Sequence, residues 1–238
     1  MFATKFRRNL SPLTLFSHKG GPNPWRTVTA LKELNLPYET IFHDFAKNEQ
    51  KNERHLAYNP NGRVPTLIDH HNNDYTIWES DAILAYLTDR YDKERKISLS
   101  HDHPDYHHLL QYLFFQSSGQ GVIWGQASWF NFYHPEPVAS AISRYRNEIK
   151  RVLGVLETIL QEKEYLVANK CTIADLSFVT WNALLPSIFG PGKHEFNEAL
   201  PQLDFKKEFS KTYAWHQRLV ERPAVAATLK EREQVLQQ

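Results

Sequence analysis

The stretch from Asn59 to Ser80 restricts this chain more than any other. It reads Asn59-Pro60-Asn61-Gly62-Arg63-Val64-Pro65-Thr66-Leu67-Ile68-Asp69 and, after a polar break, Ile77-Trp78-Glu79-Ser80-Asp81-Ala82-Ile83-Leu84. Asn59 to Gly62 is a turn, because proline presets one dihedral and Asn and Gly accept left-handed ones. Pro65 has no N–H to give a sheet ladder, and bonds preceding proline are where cis peptides occur. A cis bond there would turn the N–H and C=O of Val64 outward, toward an extended ligand. Thr66 to Ile68 is a short strand, His71 to Asp74 its hairpin turn, and Tyr75 to Trp78 the return strand. Glu79-Ser80 then opens a helix with Ile83, Leu84 and Leu87 on one face. The Ser80 hydroxyl and the N–H groups of that helix start suit a carboxylate, and Glu79 suits an ammonium group. A ligand with an amino-acid head and an extended tail fits all three. The same pieces also occur as a plain stopped strand, hairpin and capped helix.

Upstream, Leu13 to Ser17 is a first strand, ended by His18-Lys19-Gly20-Gly21-Pro22-Asn23-Pro24. A helix follows from about Pro24 to Leu34, its core face carrying Val28, Leu31 and Leu34, and Tyr38 to Phe42 alternates as a second strand. Strand, helix, strand favours a parallel pair. With the later hairpin and helix the order is βαβ followed by ββα, the order of an α/β thioredoxin-like domain over residues 1–93. After a linker holding the charge run Asp92 to Lys96, the period turns helical. Asp105 to Gln116 is one helix, and Val138, Ile142, Tyr145, Ile149, Val152, Leu156 and Leu160 mark a long amphipathic one. Thr172-Ile173-Ala174-Asp175 is a capping box with Asp in place of Glu, and Phe205 to Glu221 and Pro223 to Leu236 are the last helices. Residues 103–238 are therefore expected to form an all-α helical-bundle C-terminal domain.

The 238 residues hold 28 basic and 27 acidic side chains, so a strong pull on nucleic acid is not expected, and no apolar run is long enough for a membrane. The N-terminus lacks the apolar core of a secretion signal. The single cysteine, Cys171, leaves no internal disulfide framework and no CxxC pair. It fits a reducing, cytoplasmic setting. The 12 histidines are scattered, and His101, His103, His107 and His108 have no cysteine or convincing carboxylate partner, so no metal site is expected.

The Asn59 turn, Val64-Pro65 and Glu79-Ser80, in this order and spacing, resemble the glutathione-binding half of cytosolic glutathione transferases. Tyr165-Leu166-Val167 with Thr172 to Asp175 is similar to the capping motif of their helical domain. Gly125-Gln126-Ala127-Ser128-Trp129-Phe130, Arg144-Tyr145-Arg146-Asn147-Glu148 and Gly21-Pro22-Asn23-Pro24-Trp25 resemble the fungal Ure2p-like type and its bacterial Nu-class relatives. Those relatives often carry a threonine before the loop proline, where this chain has Gly21. The resemblance implies glutathione as co-substrate and a homodimer acting in detoxification.

Glutathione chemistry needs a thiolate, and a free thiol has a pKa of ~8.5. The loop after the first strand, where a helix begins, is the place to stabilise one. It holds neither Tyr nor Cys, and Ser17 lies on the strand side. The resemblance makes Asn23 the thiol-contacting catalytic residue, an amide donor that cannot take a proton, helped by the backbone N–H of Trp25. It places Gln50 at the glycyl end of glutathione, beside Val64, Pro65, Glu79 and Ser80 as binding residues. Each also has a plain reading, Asn23 as a helix cap and Gln50 as a solvated loop residue. An aromatic cluster that includes Trp124, Trp129 and Phe130, near several glycines, suggests a pocket for a small apolar electrophile or disulfide, or else core and dimer contacts. Trp181, Trp215 and Phe178 sit at core spacing. Conjugation to an electrophile and glutathione-dependent disulfide or peroxide reduction both fit, as does a non-catalytic carrier or regulatory module. A glutaredoxin-like exchanger does not, since Cys171 is remote in sequence from the first loop.

Overall fold

The computed structural model describes residues 12–190 and 199–238. Two compact units divide the chain. The first runs through β1 (Leu13–Ser17), α1 (Pro22–Glu33), β2 (Glu39–Phe42), α2 (Glu53–Leu56), β3 (Thr66–Asp69), β4 (Tyr75–Trp78) and α3 (Ser80–Tyr91). Its sheet has the order β2-β1-β3-β4. β1 pairs parallel with β2, Leu15 opposite Thr40, and antiparallel with β3, Leu15 opposite Leu67. β3 and β4 form the antiparallel hairpin. This is the expected thioredoxin-like order.

Burial follows strand position. Every residue of β1 and β3 is buried, as central strands with both faces covered must be, whereas the edge strand β2 alternates between half-buried and exposed. Leu15, Leu31, Leu67, Ile83, Leu84 and Leu87 are completely inaccessible. The Phe16 ring contacts His43, His55 and Tyr58, at 5.4, 5.2 and 5.7 Å between centroids.

The second unit, Arg95–Pro223, is helical. It contains α4 (Tyr106–Phe115), α5 (Val122–Ser128), α6 (Ala139–Ile159), α7 (Ile173–Asn182), α8 (Leu185–Ile188), α9 (Phe205–Glu208) and α10 (Ser210–Val220). The α6 stripe is as expected: Ile142, Ile149, Val152 and Leu156 are fully buried. So is the capping box of α7. Asp175, completely buried, accepts from Thr172 N at 2.9 Å, Leu166 N at 2.9 Å and the Trp215 indole at 2.9 Å. Two features were not expected. Gln116–Gly121 and Trp129–Tyr133 are π-helical, widening the turns on either side of α5. The Phe205–Glu221 segment breaks at Phe209, whose φ of −136° leaves the helical region.

Residues 103–238, read from sequence as one domain, divide between the units. The final helix α11 (Pro223–Leu236) belongs, from Ala224 on, to the sheet unit. Glu231 bridges to Lys32 of α1 at 2.7 Å, and Arg232 donates to the carbonyl of Gly20 at 3.0 Å. Helical periodicity marks the element but not the surface that it covers, and α11 has only two fully buried side chains, Val225 and Thr228. No helix among the described residues is long and apolar enough to cross a membrane.

Candidate functional site

The turn before Pro65 is built from one buried carboxamide. Asn59, 1% exposed, accepts from Asn61 N at 3.0 Å and donates to both Arg63 O and Thr66 Oγ1 at 2.9 Å. Gly62 has φ +58°, a left-handed conformation in which a side chain is strained, and a Cβ there would lie 2.8 Å from the Lys51 side chain. His55 donates from Nε2 to the same Arg63 carbonyl at 3.1 Å, and its Nδ1 meets His43 Nε2 at 3.0 Å. The Val64-Pro65 bond is cis. Two buried donors thus hold the carbonyl that precedes Val64. Asn59 stood inside the turn motif, but the roles of His43 and His55 were not foreseen, because nothing in their spacing pairs them.

Asn23 is not ahead of the helix, as expected, but at its second position, because α1 begins at Pro22. The first turn has an unusual donor count. Four N–H groups at a helix start lack intrahelical partners. Here the N-cap Gly21 N–H goes to His18 Nδ1 at 3.1 Å, and Pro22 and Pro24 have none to give. Asn23 carries the one other backbone N–H of that first turn. Trp25 lies one position further, where the N–H closes the first intrahelical bond to the N-cap carbonyl. Its ring, 1% exposed, donates from Nε1 to Lys19 O at 2.8 Å.

The Asn23 side chain is oriented from below. Arg26, 1% exposed, donates from Nη2 to Asn23 Oδ1 at 2.8 Å and pairs through Nη1 with Asp81 at 2.6 Å. A guanidinium can only donate, so the carboxamide oxygen must face it and the NH₂ end must face away. Burial pushes the Asp81 pKa up, while the Arg26 charge and hydrogen bond pull it down. The pair connects α1 to the first turn of α3, tying the Asn23 loop to Glu79-Ser80.

Glu79 is the N-cap of α3 at φ +69°, in the left-handed half of the map where a long side chain is costly. Such strain is found where function holds a residue in place. Glu79 is exposed and Ser80 buried beside the helix N-terminus. Gln50 lies in a short 3₁₀ turn, Glu49–Lys51, with its buried Oε1 lacking a hydrogen-bond partner, an acceptor suited to an amide N–H. The sheet unit therefore holds a left-handed Glu, a helix N-terminus, a cis-proline loop, an amide acceptor and a carboxamide donor. That set has the chemistry to hold an ammonium, a carboxylate, an extended peptide backbone and a sulfur anion.

The aromatic residues of the helical unit separate. Trp124 is completely buried among Ile149, Val152, Leu153 and Trp181, so it is core and not the wall of an open pocket. Glycine neighbours had suggested accessibility, but Gly121 and Gly125 pack against Trp181 instead. Trp129 is half exposed and stacks on Tyr133, and Phe130 stacks on Tyr145 at 5.7 Å.

The family profile for the glutathione S-transferase N-terminal domain matches residues 11–89, and that for the C-terminal domain matches residues 122–223. The chain is 70% identical over 222 residues to Glutathione S-transferase 2 of Schizosaccharomyces pombe, spanning 93% of this chain and 96% of that protein. The structure of the glutathione transferase URE2P6 from Phanerochaete chrysosporium, in complex with oxidized glutathione, superposes with a TM-score of 0.87 at 52% identity, covering 94% of this chain and 98% of that one. Ure2p in complex with glutathione gives 0.83 at 37% identity, covering 93% and 100%. The chain belongs to the glutathione S-transferase family, among its Ure2p-like members.

Proposed function

We propose that this protein is a glutathione transferase that binds glutathione on its sheet unit and stabilises the thiolate with Asn23. The observation that carries the reading is the buried Arg26–Asp81 pair, which commits the Asn23 oxygen and turns its donor end outward. Glu79 takes the γ-glutamyl ammonium, Ser80 and the α3 N-terminus its carboxylate, Val64 the backbone, and Gln50 the glycyl end. The relatives solved with glutathione and oxidized glutathione support this assignment. In conjugation the sulfur forms a bond to carbon, the leaving group departs with the bonding pair, and the thiol proton goes to solvent, since Asn23 cannot hold it. With a disulfide, the thiolate attacks one sulfur and releases the other as thiolate, and a second glutathione completes the exchange as glutathione disulfide. With a peroxide, two glutathiones give up two electrons to cleave the O–O bond, leaving alcohol, water and glutathione disulfide. Cys171 is only 4% exposed, so the redox routes run on bound glutathione.

For the electrophile, Trp129 and Phe130 are the aromatic surfaces that the helical unit offers. Phe114, Val122, Trp129 and Tyr133, exposed by 69, 55, 48 and 69%, support a homodimer contact on α4 and α5 and the π-helical turn after α5. A cytoplasmic, detoxifying role completes the reading.

The test is Asn23→Ala, assayed with an activated chloronitrobenzene and a mixed glutathione disulfide, alongside calorimetric glutathione binding. Turnover is expected to fall roughly 100-fold, as on losing one oxyanion-hole donor, with affinity changed about threefold or less. Unchanged turnover would remove Asn23 from the chemistry. Binding without turnover in the unaltered protein would make it a carrier.

A further inference from the structure

The loop from His18 to Gly21 passes from β1 to α1 under an imidazole. The N–H groups of Gly20 and Gly21 both donate to His18 Nδ1, at 3.2 and 3.1 Å. The ring is stacked on Phe45 with centroids 4.1 Å apart and planes 26° from parallel, which fixes its tilt. The loop carbonyls are taken as well, Lys19 O by the Trp25 indole and Gly20 O by Arg232. A ring nitrogen that accepts from two N–H groups carries no proton, so the neutral imidazole has its proton on Nε2.

Resting on the glutathione reading above, we propose that His18 is a positioning residue for thiolate formation: its unprotonated Nδ1 folds the loop so that Gly21 caps α1 and Asn23 stands in the first turn, and protonation releases it. A proton on Nδ1 would oppose one N–H to two others, turning both contacts from attractive to repulsive. Burial lowers the imidazole pKa below its ordinary 6.5, against the upward pull of Asp44. The acceptor form therefore prevails at neutral pH. The charged groups around the ring are Asp44, itself paired with Lys47 at 3.2 Å, Lys19 on the loop, and Arg232 from α11. Activity should then fall on the acid side in two steps, one belonging to the glutathione thiol and one to His18.

Three measurements on the intact chain test this. Nitrogen-edited NMR of the unliganded protein reads the tautomer directly; a pyridine-like Nδ1 is expected, and a protonated Nδ1 at neutral pH would overturn the proposal. His18→Asn places a non-titrating carboxamide oxygen where it can accept the same N–H groups. It should keep kcat/KM near neutral pH within about threefold and lose the His18 step from the acid limb, whereas His18→Leu should lose roughly tenfold or more in kcat. An unchanged acid limb in His18→Asn, or full kcat in His18→Leu, would refute a positioning role. If His18→Leu does not fold, the tautomer and the Asn profile still decide. The tautomer needs no glutathione, so failure of the unaltered protein to bind glutathione would sink the functional reading separately.

Discussion

Both loops that frame the proposed glutathione site are held by a histidine, His18 within the first and His55 of α2 beside the second, and the two act with opposite polarity. At the first loop His18 accepts, so its hydrogen bonds exist only while the ring is neutral. At the cis-proline loop His55 donates to Arg63 O, and that bond survives protonation. The His43–His55 contact can also adapt, since either ring can serve as its donor. On the glutathione reading, the loop assigned to the thiol depends on a neutral ring, whereas the loop assigned to the ligand backbone does not. Placement alone does not tell a structural histidine from a switching one; the direction of its hydrogen bonds does.

The sharpest way to break this comparison is Asn59→Ala, which strips the second donor from Arg63 O and leaves buried groups unpaired. We expect a loss of about 3 kcal/mol in urea unfolding and a glutathione affinity reduced roughly tenfold, with kcat little changed. A fall in kcat alone would mean that the loops do not divide binding from chemistry. Next is the acid response of stability. His216 in α10 is buried with an unpaired Nδ1, and burial lowers its pKa from 6.5 to about 4. The folded state resists a proton that the unfolded chain accepts. Its stabilising share is complete above pH 6.5 and is lost as pH falls toward about 4, up to about 3 kcal/mol. His216→Phe should remove that share; any acid loss that remains then belongs to His18 and His43, whose pKa values burial also lowers. No change in the pH profile of this variant would show that the ring is not buried as a neutral group. The smallest effect is expected from His43→Phe, which keeps the stack on Phe16 and deletes one hydrogen bond. About 1 kcal/mol and less than threefold in affinity are expected. A larger loss would mean that His55 needs His43 to hold its donor orientation.

Local rules made much of this legible. Asn59 to Gly62, the hairpin after Asp69, the capping box at Thr172 and the α6 stripe are each decided by neighbours a few residues apart. Of the proposed site, the turn, Val64-Pro65 and the helix start at Glu79-Ser80 were legible because they are short motifs, whereas the isomer of Val64-Pro65 was left open and the positive φ of Glu79 was not foreseen. Contacts across long separations were not. Arg26 with Asp81, His43 with His55 and Arg232 with Gly20 depend on which surfaces meet. Trp124 and Trp129 look alike in sequence, and only the packing of Ile149, Leu153 and Trp181 around the first separates core from surface. Helix phase was missed by two residues at α1, because Pro22 and Pro24 are both acceptable in a first turn.

The placement of α11 bears on how the protein comes into being. The sheet unit is discontinuous in sequence: its β1–α1 loop is closed by Arg232, which lies beyond the whole helical unit along the chain. Domains made first commonly fold first on the ribosome, but this one lacks α11 until the helical unit has been made. The helical unit, Arg95–Pro223, is contiguous and can be finished earlier. A nascent chain would therefore close its β1–α1 loop only after the helical unit is made, when the last turns of α11 leave the exit tunnel.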